Sequence, residues 1–254
     1  MSKWALVTGA TAGIGESFTR LLAQERYNIV LVARDENRLH ERAAALRTKY
    51  GVETEVIVAD LSTDSGTSRV ESYIAEKEIE VLINNAGFGI NKAFSVSKLA
   101  DEEALLDVLV RVPMRLMHVA IPKMVATKRG VIINVSSVAS FIAGGTYSAS
   151  KSYLTVLSES LHTEVSGSGV MVSALCPGFT RTEFHQRGRM KMGQLPQFMW
   201  LNADELVAKS WKDALAGKAV SIPGWQYKVL VGVLNLLPRR VVRNVGMGLR
   251  KKQR

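Results

Sequence analysis

The sequence predicts a doubly wound α/β domain with a mostly parallel seven-stranded sheet. Short β-branched, apolar runs alternate with helical stretches along the chain. Most of these runs are apolar throughout, as strands covered on both faces are. A glycine-rich turn joins the first run to the first helix. The expected strands are 4–8, 28–33, 55–58, 81–83, 131–135, 170–175 and 219–222. The expected helices are 14–25, 36–50, 67–78, 100–127, 147–166 and 203–216. The segment 181–201 has no clear periodicity and reads as a long loop with one or two helical turns. Residues 1–224 are read as one domain that includes a substrate loop at 178–202. Residues 225–254 are read as a basic, partly apolar extension.

Composition narrows the class. The chain has 254 residues, 47% apolar and 22% charged, which excludes a disordered chain and a coiled coil. A single cysteine, Cys176, excludes a disulfide framework and is expected to be a small buried residue. The four histidines lie far apart with no metal-binding spacing, so no metal is expected. The first strand starts near Lys3, so no signal peptide is expected, and no apolar run reaches the ~20 residues of a membrane span. A cytoplasmic protein is the expectation. The net charge of +10 is mostly a tail property, because Arg239–Arg254 holds seven Lys or Arg and no acid. No nucleic-acid-binding motif accompanies it, and no nucleic-acid partner is expected.

The turn Thr8-Gly9-Ala10-Thr11-Ala12-Gly13-Ile14-Gly15 has the chemistry of a dinucleotide cradle. Glycines let the backbone approach a pyrophosphate, and the free N–H groups of the helix start favour its charge. The second strand ends Ala33-Arg34. An acid that would bind a ribose 2′-hydroxyl is missing, and a guanidinium suited to a 2′-phosphate follows. NADP(H) is therefore expected over NAD(H). Arg38, one turn into the next helix, is a second phosphate contact or a surface charge.

At Tyr147-Ser148-Ala149-Ser150-Lys151 the chain resembles the short-chain dehydrogenases/reductases, a Rossmann-like family, over nearly its whole length. The turn from Thr8 to Gly15 is similar to the family's TGxxxGxG. Asp60-Leu61 resembles its adenine-contacting Asp after the third strand, and Asn84-Asn85-Ala86-Gly87 matches NNAG. Asn134-Val135-Ser136-Ser137 matches the segment with the catalytic serine. Cys176-Pro177-Gly178-Phe179-Thr180-Arg181-Thr182 resembles the PG motif whose downstream Thr contacts nicotinamide carboxamide and pyrophosphate. The resemblance implies cofactor contacts at Thr11, Ile14, Asp60, Leu61, Asn85, Ala86, Gly87, Tyr147, Lys151, Pro177, Gly178, Thr180 and Thr182. It also implies a homodimer or homotetramer built on the two long helices flanking the serine strand.

The chemistry agrees with the resemblance. Tyr147 and Lys151 are four apart and share a helix face. A cation about 4 Å from a phenol is worth roughly 4 kcal/mol at an effective dielectric of ~20, about three pKa units. Lys151, helped by an oxidised nicotinamide, is thus expected to bring the phenol of Tyr147 near physiological pH as acid/base. Ser137 would hold the substrate oxygen, and Ser136 would point to the other side of the strand. The ten residues from Ser137 to Tyr147 are about three fewer than the family usually has, which leaves the choice of serine open.

One departure stands inside the long helix. Leu109 occupies the place where many members carry a catalytic asparagine. Four residues later Pro113 lacks an N–H, so the Leu109 carbonyl loses its helical partner. That carbonyl is the candidate to hold a proton-relay water; a plain kink and a damaged relay are the alternatives.

Phe88, Phe141, Phe179, Phe184, Phe198, Met199 and Trp200 are the candidates to line a substrate pocket, with Arg181 and Arg187 the possible clamps for a carboxylate. A small apolar ketone or secondary alcohol fits best. A 3-ketoacyl thioester reductase and a non-enzymatic NADP-binding regulator are the alternatives. In the extension, Val229–Leu237 is too short to span a bilayer. It either packs on the domain or a neighbouring subunit, the preferred reading, or forms an interfacial helix making peripheral contact with anionic lipid.

Overall fold

The computed structural model describes residues 3–184 and 196–244. Seven strands form one sheet: β1 (Trp4–Thr8), β2 (Asn28–Ala33), β3 (Thr54–Val58), β4 (Val81–Asn84), β5 (Gly130–Val135), β6 (Val170–Leu175) and β7 (Val220–Ser221). Their spatial order is β3-β2-β1-β4-β5-β6-β7. Every pairing is parallel, so the sheet is wholly rather than mostly parallel. Chain order reverses between β1 and β4, and this switch point opens a crevice at the C-terminal edge.

Alternation along the strands builds two cores. Trp4, Leu6, Val30 and Val32 face one side, under α3 (Asp64–Glu76), α5 (Val112–Thr127) and α6 (Thr146–Glu164). Ala5, Val7, Ile29 and Leu31 face the other, under α1 (Gly13–Gln24), α2 (Glu36–Tyr50) and α7 (Ala203–Leu215). Each fully buried aliphatic chain of this kind contributes about 2 kcal/mol. Polar side chains cap three of these helices: Asp35 accepts from Arg38 N–H, Thr63 from Gly66 N–H, and Asn202 from Asp204 and Glu205 N–H. No side chain caps α1 at Ala12.

The long helix expected over 100–127 is interrupted. It runs as α4 (Leu99–Leu106), a π-helical turn over Asp107–Arg111, and then α5. Pro113 explains the interruption, since it offers no N–H to the carbonyl four residues back. In the wider turn Val112 N–H donates to the Asp107 carbonyl. The chain then adds α8 (Trp225–Leu236) after β7. Tyr227, Val231 and Leu234 of α8 are buried on the domain, whereas its opposite face is exposed. Arg187 and residues 245–254 of the basic tail lie outside the described residues.

Candidate active site

The crevice is built by cross-links between two loops. Thr8 Oγ1 accepts from Asn85 N–H (2.9 Å) and Ala86 N–H (3.0 Å), and Asn85 Nδ2 donates to the Thr8 carbonyl (2.9 Å). The Asn85 loop is thereby fixed against the glycine turn. Gly9 has φ +66°, and a Cβ at Gly15 would stand 2.2 Å from the Gly9 carbonyl oxygen. Only glycine lets α1 close on this turn. The first-turn N–H groups from Gly13 to Gly15 have no capping side chain. Such a turn suits a phosphate. Glu16, in the same turn, is neutralised by Arg20 (3.0 Å) and Arg42 (3.3 Å). These residues fit the pyrophosphate of a dinucleotide.

At the adenosine end, Arg34 is 75% exposed, with Nη1 4.0 Å from Asp60 Oδ2. Ser62 donates its N–H and hydroxyl to Asp60, and these bonds with Arg34 hold the carboxyl below its ordinary range despite partial burial. Leu61 has its side chain in the core, so only its backbone can meet a ligand. Arg38 is committed elsewhere. Its Nη1 and Nη2 donate to the two oxygens of Glu183 at 3.1 and 2.8 Å. Thr11 is buried, and Thr182 packs on Gly13, where a Cβ would stand 2.9 Å from it. Thr180 turns its hydroxyl to the Gly178 carbonyl (3.0 Å), and Pro177 accepts from Val138 N–H (3.0 Å).

Strand β5 delivers the two serines to different sides. Ser136 is buried, with its Oγ bonding the Lys151 carbonyl (2.9 Å) and Thr155 Oγ1 (2.7 Å), so it pins α6 to the sheet. Ser137 begins a 3₁₀ turn over Val138–Phe141 and accepts from Ala139 N–H (3.1 Å). Its hydroxyl is near enough to the phenol of Tyr147 to pull the phenol's pKa down. The short Ser137-to-Tyr147 segment therefore still brings the two together. Lys151, on the same face of α6, is buried and donates from Nζ to the Val135 carbonyl (2.6 Å). Cys176 is buried, as expected.

The lowering of the phenol is expected from Lys151 together with an oxidised nicotinamide, and the side chains by themselves do not give it. Nζ lies 5.8 Å from the centre of the Tyr147 ring and points to the Val135 carbonyl. Burial pushes Tyr147 up to about 12, against the Ser137 bond that pulls it down. Burial likewise holds Lys151 at about 8. Desolvation is the largest cause of both shifts. A tyrosine so placed keeps its proton at neutral pH, which suits a proton donor.

Leu109 is buried, and its Cδ2 would lie 2.8 Å from a Cβ at Gly87. Its side chain packs on the Asn85 loop and offers no polar group. Beside it is a cavity of about 10 Å³ whose walls include Leu109, Pro113, Asn84 and Lys151. That is room for about one water. Asn84, one of the lining residues, has a buried Oδ1 with no partner among the described residues, while its Nδ2 donates to Asn134 Oδ1 (2.8 Å).

The aromatic candidates divide. Phe184 sits 6.1 Å from the Tyr147 ring, centre to centre, and Phe179 packs 6.1 Å from Trp200. Phe141 lies in the turn after Ser137. Phe88 leans on the sheet core, and Phe198 is 62% exposed. Arg181 bonds Gln197 within the loop. Sequence reasoning missed Tyr227, whose ring lies under Gly178. Its hydroxyl accepts from Phe179 N–H (3.0 Å) and donates to the Met199 carbonyl (2.5 Å). Gly178, where a Cβ would stand 2.0 Å from that ring, was its only trace in the sequence. The Glu183 partner of Arg38 carried no signal at all.

Comparison with known proteins agrees with this geometry. The family model described as short chain dehydrogenase matches residues 3–192. The very-long-chain 3-oxoacyl-CoA reductase of Rattus norvegicus is 28% identical over 262 residues, covering 100% of this chain and 81% of that protein. A short-chain dehydrogenase from Sphingobium yanoikuyae, solved with NADPH, superposes with a TM-score of 0.84 at 33% identity, covering 92% of this chain and 93% of that one. A 7beta-hydroxysteroid dehydrogenase structure gives a TM-score of 0.87 at 26% identity, with 96% of each chain covered. The match runs from the first strand through the glycine turn and serine strand into the loop after β6, and the chain belongs to the short-chain dehydrogenase/reductase family of oxidoreductases.

Proposed function

We propose that the protein is an NADP(H)-dependent reductase of carbonyls on apolar chains, with 3-oxoacyl thioesters as the favoured substrate class. The observation that carries the reading is Tyr147 and Lys151 on one face of α6, the Lys151 amine 5.8 Å from the Tyr147 ring centre, beside Ser137 at the C-terminal edge of β5. The nicotinamide, when bound, supplies the hydride for the carbonyl carbon. Ser137 Oγ holds the carbonyl oxygen, and Tyr147 Oη gives it a proton as the alkoxide forms. Lys151 Nζ, anchored on the Val135 carbonyl, is placed to bind the nicotinamide ribose. The glycine turn, Asn85–Gly87 and the segment Pro177–Thr182 would hold the rest of the dinucleotide. Arg34, exposed beside Asp60, reads the 2′-phosphate, and Arg38 joins it on leaving Glu183.

Leu109 cannot act through its side chain. Its carbonyl, denied its α-helical donor by Pro113, and Asn84 Oδ1 are the acceptors available to a water in the adjoining cavity, next to Lys151. Such a water would return the proton to Tyr147. Phe184, Phe141 and Phe179 line the apolar approach. The rat relative's activity on very-long-chain 3-oxoacyl-CoA favours the thioester over a free ketone. The exposed Met114, Tyr153 and Val156 on α5 and α6 support pairing of two copies through these helices.

The test is NADPH oxidation against 3-oxoacyl thioesters of increasing chain length and hydrophobic ketones, with NADH in parallel. Turnover that rises with chain length and needs NADPH is expected. Tight NADPH binding without turnover on any substrate would replace the reading with a non-enzymatic NADP-binding role.

A further inference from the structure

Helix α8 is apolar on two opposite faces. Tyr227, Val231 and Leu234 are buried on the domain. At helical spacing on the other side stand Trp225, Val229, Val233 and Leu236, exposed by 73, 58, 49 and 87%. A helix face of this kind ordinarily has a partner. The flanking charge says which. Lys228, Arg239, Arg240 and Arg243 are all exposed, and the sequence from 225 to 254 contains no Asp or Glu. A two-fold contact with a second copy would set this cluster against itself. A polyanion without an apolar phase would leave the stripe uncovered. An anionic lipid surface satisfies both features. Among the described residues no helix is long and apolar enough to cross a membrane, so the contact would be peripheral.

We infer that α8 is a docking surface for an anionic bilayer. The same helix is bonded to the loop beside the active site. Tyr227 grips Phe179 and Met199, and Gln226 Nε2 donates to the Phe198 carbonyl (2.9 Å). Exposed Phe198 therefore lies beside the stripe. Docking holds the mouth of the substrate crevice at the lipid surface, where a long acyl chain resides. That last consequence rests on the substrate reading above; the docking itself does not.

The test is co-sedimentation of the full chain with vesicles of phosphatidylcholine alone or with one third phosphatidylserine, at low and high salt. Binding to the anionic vesicles that weakens with salt is expected. Arg239→Ser/Arg240→Ser/Arg243→Ser should weaken it roughly a hundredfold, about fivefold for each cation removed. Val229→Ser/Val233→Ser/Leu236→Ser should abolish it while NADPH binding persists. In the unmodified background, the emission of Trp225, read as the difference from Trp225→Phe, should shift to the blue on anionic vesicles. Absence of vesicle binding, an unshifted Trp225, or wild-type binding by the stripe variant overturns the inference. A dimer that the stripe variant dissolves, with no vesicle binding, assigns the face to a second copy.

Discussion

Arg34→Ala separates the two nicotinamide cofactors. The guanidinium is 75% exposed, so its attraction for a 2′-phosphate acts through a water-like dielectric. At about 4 Å that is roughly 1 kcal/mol per unit charge, and a phosphate monoester carries about −1.5 to −2 at neutral pH. Charge-assisted hydrogen bonds to such a group are worth about 1.5–3 kcal/mol. The two estimates overlap at about 1.5–2 kcal/mol, a roughly 12- to 30-fold rise in the NADPH Kd. Asp60 adds to the loss, because the substitution removes the cation 4.0 Å from its carboxylate. NADH has no 2′-phosphate, and its Kd should stay within about twofold. Glu183→Gln works in the opposite sense: it removes the charge and one of the two acceptors that engage Arg38 and should tighten NADPH binding alone. Fluorescence titration of both cofactors against the three proteins reads the effect, and the difference should shrink with salt. Equal weakening of NADPH and NADH by Arg34→Ala would refute the assignment, since a structural lesion does not distinguish a phosphate.

Two further outcomes follow from burial and from the helix break. Lys151 is held at about 8, below its ordinary 10.5. Below pH 8 the amine is charged in folded and unfolded chains alike, and the full burial penalty of about 3 kcal/mol is present. As pH rises from 8 to 10.5 the folded chain has already shed the proton that the unfolded chain still holds, and the penalty is relieved. Lys151→Met should therefore abolish turnover yet stabilise the fold at pH 7 by about 2 kcal/mol, after loss of the Val135 bond. Urea denaturation should show that gain vanishing toward pH 10.5; an equal gain at both pH values refutes the burial argument. Pro113→Ala returns an N–H to the Leu109 carbonyl. It should lower kcat about tenfold or more, as loss of a proton relay does, and leave NADPH binding and Tm unharmed; unchanged kcat refutes the relay.

The strands and most helices were legible because their signals are local. Trp4–Thr8 is apolar throughout because both of its faces are covered, and the caps at Asp35, Thr63 and Asn202 sit where sequence rules put them. The Ser137–Tyr147–Lys151 cluster was legible because its spacing forces one face of α6 toward the end of β5. What escaped depends on contacts between distant segments. Pro113 announced a break, but only the packing of Leu109 on Gly87 and the walls around Asn84 turn it into a water-sized cavity. The reach of the Lys151 amine was not legible, because four-residue spacing fixes a shared face and not a distance. The Lys151 amine reaches the Val135 carbonyl instead. Arg38 is engaged by Glu183, 145 residues away, a partner that no local signal announces. The exposed half of α8 was hidden by its composition, which is apolar on both sides and gives no clue to which is buried.

The most direct test of the central claim is Tyr147→Phe in single-turnover stopped flow with NADPH and a long-chain 3-oxoacyl thioester. The account predicts that the variant binds NADPH as the wild type does and loses nearly all hydride transfer, because Ser137 and Lys151 remain but no acid faces the carbonyl oxygen. Transfer at the wild-type rate by Tyr147→Phe would contradict it, and the proton donor would then have to be sought elsewhere in the crevice.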